Sequence, residues 1–166
     1  GDGPVRAAGI ATPRAGSWIA GDVRLDGRAA LRDALRGAGV ATRNDASDTD
    51  LVVAAWRAWR ETATEHLIGD YSFALWDDRE RTLFCARDAL GVRPLYWAET
   101  GRTFVCSNVL DEIRADGRVS RRLHEPAIVS FLRFGHNVDT GTTSFAGIRR
   151  LPPGHQLVVR ADSSAI

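Results

Sequence analysis

The chain contains no lysine and no methionine, so all 22 of its lysine-or-arginine positions are arginine. Without lysine these 166 residues offer no Schiff-base amine and no phosphate-loop lysine. There is also no Gly-rich phosphate loop. Cysteine is scarce: Cys85 and Cys106 are the two present, each inside an apolar run, LFCAR and FVCSN. Small free thiols of this kind are usually buried, which fits a reducing compartment. A disulfide stays open only if their strands are neighbours. Net charge is +1, so no global field draws in nucleic acid or a membrane. No apolar run is long enough to cross a bilayer, and the N-terminus lacks the apolar segment of a signal peptide. The expectation is a cytoplasmic protein with neither nucleic acid nor membrane as partner. His66, His124, His136 and His155 are dispersed without metal-ligand spacing, so no metal site is expected.

What is present is ordinary for a globular domain: 44% hydrophobic and 26% charged residues. The length suits one domain with a real core. Residues 1–16 are rich in Gly, Ala, Pro and Arg with little periodicity, and read as a loose leader or remnant. Residues 17–160 form the domain, and 161–166 read as a tail.

Alternation predicts a strand at Ser17 to Val23. A helix over Arg28 to Arg36 follows, with Asp26 as its cap and Leu31 and Leu35 on one face. Ser47 with Asp50 three residues on is a capping-box pattern, opening a helix from Thr49 to Glu61. Its Leu51, Val52, Ala55, Trp56 and Trp59 recur at helical spacing, and the tryptophans are expected in the core. Helical residues continue toward Leu67, where Gly69 breaks them. From Tyr71 the period becomes two, then Asp77 to Arg81 turn and Thr82 to Arg87 return as a strand. A second hairpin spans Leu95 to Glu99 and Arg102 to Ser107. Short helices are expected at Asn108 to Arg114 and Glu125 to Phe134, with Pro126 in a first turn that tolerates it. A last strand runs from Gln156 to Arg160. Strands joined by hairpins and mixed with helices mean an α+β fold.

Four segments, taken in order, resemble one family. They are WIAGDVRLDGRAALRDAL, the helix start Ser47-Asp48-Thr49-Asp50, the run GDYSFALWD…ARDALGVRPLY, and FAGIRRLPPGH at residues 145–155. Together they resemble the class II glutamine amidotransferase domain at the front of the asparagine synthetase family. The resemblance implies an N-terminal-nucleophile (Ntn) hydrolase fold. That fold is a four-layer αββα sandwich of two antiparallel sheets. It also implies glutamine hydrolysis by an N-terminal cysteine, an oxyanion hole from an Asn-Gly-Glu signature, and an aspartate for the substrate's ammonium.

Carried over by position, Gly21, Asp22 and Asp48 match the family's glutamine site. Asp48 matches the ammonium ligand, and its place at a helix start is an equal structural reason for an acid. Asn-Gly-Glu has become Ala20-Gly21-Asp22, so one side-chain donor is missing. The chain opens Gly1-Asp2-Gly3-Pro4, without the nucleophile, and no catalytic residue is assigned. Arg87, Asp88, Gly91, Arg93 and Pro94 match a loop that in the family lies near the domain junction. They are expected to be structural, with Arg87 and Asp88 pairing to hold the loop.

ATP and Mg2+ are expected only in an associated synthetase domain or subunit, the implied partner. An amino-acid or peptide substrate is implied as well. The run WIAGDVRL further resembles members that form macrolactams, such as lasso-peptide cyclases; these, like β-lactam synthetase, use an amine already in the substrate. Three readings stand at this point. One is a domain of an amide-forming enzyme without glutaminase activity. Another is an active glutamine-hydrolysing domain supplying ammonia for asparagine synthesis. The third is a stand-alone binding module for a small molecule or protein.

Overall fold

A computed structural model describes residues 6–7, 12–14 and 16–161, the first two stretches by backbone alone. Along the chain, β1 (Arg6–Ala7), β2 (Thr12–Arg14) and β3 (Ser17–Asp26) precede α1 (Arg28–Gly37) and α2 (Asp48–Trp59). A 3-10 segment, Arg60–His66, leads into β4 (Ile68–Asp77), β5 (Thr82–Arg87), β6 (Tyr96–Thr100) and β7 (Thr103–Ser107). Then come α3 (Leu110–Ala115), α4 (Glu125–Phe134), β8 (Arg149–Arg150) and β9 (Gln156–Arg160). Five strands form one antiparallel sheet in the order β2-β3-β4-β5-β9. The other sheet runs β1-β7-β6-β8, antiparallel except where β1 joins β7 in parallel.

The period-two pattern explains the layering, because alternate residues of a strand face opposite sides. In β4 and β5, Tyr71, Phe73, Leu75, Phe84 and Ala86 pack with α1 and α2 through Leu31, Leu35, Leu51, Val52 and Trp56. Their alternates Ala74, Leu83 and Cys85 meet Phe104 and Cys106 of the second sheet. The far face of that sheet, Ala98 and Val105, covers Ile113 of α3. The order helix, sheet, sheet, helix follows directly, as expected. Cys85 and Cys106 come from different sheets and stay free in the core between them. A hydrogen bond with the Cys106 thiol, together with burial, pushes the Cys85 thiol well above its ordinary value.

Three local expectations change. Asp26 does not cap α1; it ends β3 opposite Ile68, and its carboxylate takes the Arg24 guanidinium at 2.7 Å. The residue before the helix is Gly27, in a left-handed conformation with φ 63°. Gly69 does not stop a helix but lies inside β4, where a Cβ would stand 2.1 Å from the Arg24 carbonyl oxygen. The segment read as a leader contributes β1 and β2, each paired into a sheet. Among the described residues, no helix is long and apolar enough to cross a membrane.

Candidate functional site

Strand β3 is where the matched segments meet. Its Gly21 has φ 153°, and a Cβ there would sit 2.2 Å from the Ser72 carbonyl oxygen and 2.6 Å from Phe73 Cα. Only glycine lets β3 approach β4 this closely. Ala20, beside it, is buried and offers no polar side-chain group.

The start of α2 reaches β3 at its far end. Ser47 and Asp50 close the capping box in both directions: the Asp50 N–H donates to Ser47 Oγ, and the Ser47 N–H donates to Asp50 Oδ2. This fixes Asp48 as the first helical residue, aimed at the β3–α1 connection. The Leu25 N–H donates to Asp48 Oδ2 at 3.0 Å. Arg28 lies 2.8 Å from the other oxygen, Oδ1. That contact is close but off-axis, an ion pair rather than an aligned hydrogen bond. Arg28 also donates to the Ala46 carbonyl, and Arg32 to that of Asn44, so α1 holds the loop that precedes α2.

The 87–94 loop reaches β3 from the other direction. Arg93 lies 3.0 Å from Asp22, both half-exposed. Behind this pair the loop is built by two buried charges. Arg87 donates to the carbonyls of Arg93, Leu151 and Gly91 at 2.7, 2.8 and 2.6 Å. Asp88, 1% exposed, accepts from the N–H groups of Leu90, Val92 and Arg93 at 2.9–3.1 Å. The expected Arg87–Asp88 pair is therefore corrected: each side chain binds loop backbone instead. Neighbours on a strand end point to opposite sides, so they cannot face one another. Gly91 has φ 68°, and a Cβ there would meet Pro153 Cγ at 2.6 Å. Pro94, half-buried, leads from the loop toward β6.

The structure thus brings Gly21, Asp22, Asp48 and Arg93 to one strand, but gives the two acids separate cations. Arg28, which the sequence reading passed over as a plain helix residue, is the cation of Asp48. Twenty positions and a loop separate the two, and no local spacing signals such a pair. A cavity of about 440 Å3 opens along α2, lined by residues of the 40–46 loop with Asp50, Val53, Ala54 and Arg57; its lining includes neither Asp22 nor Asp48.

Burial pushes the Asp88 carboxyl upward, yet the backbone N–H groups around it outweigh that and hold it below the usual carboxylate range. Asp77 behaves alike: burial raises it, while the Trp56 indole, the Glu80 and Arg79 N–H groups and Arg60 bring it below its ordinary value. A folded-state value below the unfolded one means stability that is present above about pH 4 and lost as pH falls through the folded value. Urea midpoints are expected to be level from neutral pH down to about pH 5, then to drop below about pH 4. The drop should be shallower in Asp77→Asn; an identical acid limb in that variant would contradict the assignment.

Comparison with known proteins places the chain in a family. A family model for the glutamine amidotransferase domain matches residues 27–166. Asparagine synthetase [glutamine-hydrolyzing] 3 of Bacillus subtilis (strain 168) is 31% identical over 116 residues, 70% of this chain and 19% of that protein. A putative glutamine-hydrolysing asparagine synthetase of Mycobacterium tuberculosis (strain ATCC 25618 / H37Rv) is 32% identical over 143 residues, 81% of this chain and 21% of that one. This chain therefore spans about a fifth of the length of the curated relatives it matches. Among solved structures, the glutamine phosphoribosylpyrophosphate amidotransferase of B. subtilis superposes with a TM-score of 0.53 over 91% of this chain and 29% of that one. At 17% identity that is a likeness of fold, the Ntn-hydrolase sandwich.

Proposed function

We propose a function from one premise: this chain belongs to the glutamine amidotransferase domain family. On our reading it is the amidotransferase-like domain of an asparagine-synthetase-type, amide-forming enzyme, and it does not itself hydrolyse glutamine. The observation that carries this is the Arg28–Asp48 pair. The resemblance gives Asp48 to the ammonium of glutamine, and here a guanidinium of this chain already lies 2.8 Å from that carboxylate. A ligand's ammonium would have to displace Arg28, exchanging one cation for another without gaining charge pairing. Ala20 supports the same reading, since the loss of one oxyanion donor costs about 100- to 1000-fold in rate.

The amine for amide formation then comes from the acceptor substrate rather than from glutamine. This is the chemistry of the macrolactam- and β-lactam-forming members that the run Trp18 to Leu25 resembles. ATP and Mg2+ belong, on this reading, to a synthetase domain or subunit that activates the carboxylate, in the cytoplasm. This chain contributes a scaffold whose loop, Arg87 to Pro94, is held from within.

The test is ammonia release from glutamine by the complete gene product, against a heat-inactivated control. No turnover is expected. Turnover would overturn the proposal in favour of an active glutamine-hydrolysing domain. A second measurement isolates Arg28. Arg28→Ala should open Asp48 and raise glutamine binding at least about tenfold by calorimetry, the scale of one charged contact. Equal binding by the parent and the variant would remove Arg28 from this account.

A further inference from the structure

Helix α4 is apolar on almost every side and almost uncovered. Its sequence, EPAIVSFLRF, places Ala127, Phe131 and Phe134 on one stripe by helical spacing. Ala127 is buried at 3% exposure, whereas Phe131 and Phe134 are 57% and 53% exposed. The stripe that anchors the first turn to this domain thus continues past its edge without cover. Val129 and Leu132, 60% and 78% exposed, form a second stripe on the opposite side of the helix, and Val138 adds an exposed apolar residue beyond it. A helix apolar on most of its sides, with Ser130 and Arg133 on the remaining one, buries its apolar sides in a folded interior, and ten residues are too few to hold helical shape by propensity alone. The glycine that ends it, Gly135 with φ 76°, and the Ser130 hydroxyl that accepts from the Val138 N–H hold the turn after it in place. The element is shaped for a partner.

We infer that α4 is a docking element, and that its occupant is an apolar groove on the synthetase half of the same enzyme, fused or separate. This rests on the reading above that such a half exists. Two observations choose this occupant over a second copy of the chain. The matched stretch makes up 19% of one relative and 21% of the other, so most of each relative lies outside it. The exposed apolar residues also wrap more than one side of α4. An isologous helix pair covers one side of each helix, and a groove covers several.

Hydrogen–deuterium exchange tests this on the isolated chain and on the complete enzyme. Amides from Ile128 to Phe134 should exchange at least about tenfold more slowly in the complete enzyme. In the enzyme carrying Leu132→Glu, that protection should be lost while β4 and β5 keep theirs; the position is too exposed for the change to disturb folding here. Equal exchange in the two proteins would overturn the inference, as would full protection in the Leu132→Glu enzyme. Protection that grows with concentration in the isolated chain, with a dimer mass by light scattering, would assign α4 to a second copy instead. An enzyme that hydrolyses glutamine yet protects α4 would sink the non-catalytic reading and leave this surface standing. An inert enzyme with α4 unprotected would do the reverse.

Discussion

Asp88→Ala is expected to lower stability by about 3 kcal/mol, because three part-buried loop N–H groups lose their charged acceptor together. The Leu90, Val92 and Arg93 N–H groups donate to this carboxylate at 3.1, 2.9 and 3.0 Å. The loss also loosens the turn that presents Arg93 to Asp22. Asp88→Asn is the informative companion. Its amide oxygen can replace Oδ1 for Leu90 and Val92, but its NH2 faces the Arg93 N–H, donor against donor. It should therefore fall between the parent and the alanine variant. Urea unfolding followed by tryptophan fluorescence measures all three. A loss under about 1 kcal/mol for Asp88→Ala would mean that the loop is not built on this carboxylate, and a direct role at the site would regain ground.

What the sequence makes legible here follows the range of the interaction. Ser47 and Asp50 are three residues apart, so the capping box is written in consecutive positions and the structure keeps both of its arms. Strands Thr82–Arg87 and Gln156–Arg160 and helix Glu125–Phe134 fall at the bounds that alternation and helical spacing predict. The pair Arg149–Arg150 shows no pattern, because two residues cannot establish a period; β8 exists through pairing with Tyr96 and Trp97. The chain after Trp59 reads as continued helix, and is helical, but tightens to a 3-10 segment after Arg60 turns to φ 54°. The site divides the same way. Gly21 and the two acids, Asp22 and Asp48, are singled out by motif position alone. Their cations Arg93 and Arg28 arrive through the fold, across a sheet edge and a loop. The exposure of α4 is equally hidden, since helical spacing of apolar residues is the same whether or not they are covered, and the described residues leave Phe131, Leu132 and Phe134 exposed.

Trp56→Ala should cost about 3–5 kcal/mol, the range for emptying a buried aromatic site. Trp56 is 2% exposed and stacks on Phe84 with ring centroids 4.8 Å apart. Its indole N–H donates to Asp77 Oδ2 at 2.7 Å, and Arg60 sits over the ring at 5.5 Å. Truncation therefore removes packing between α2 and the sheet and withdraws one donor from a buried carboxylate. Arg60, 2.8 Å from the same oxygen, and the Arg79 and Glu80 N–H groups remain, so the charge keeps partners. Cavity and packing then supply most of the loss. Trp56→Phe separates the two parts: it keeps a ring against Phe84 but loses the N–H, and should cost about 1–3 kcal/mol. Trp59, three positions on, is half-buried and stacks on His66 at 3.7 Å, so Trp59→Ala should cost less than Trp56→Ala. Urea melts of the three variants give the order. If Trp59→Ala proved the more damaging, the face of α2 that meets the sheet would be assigned wrongly. With it would go the orientation that aims Asp48, eight residues earlier on the same helix, at Leu25 and Arg28.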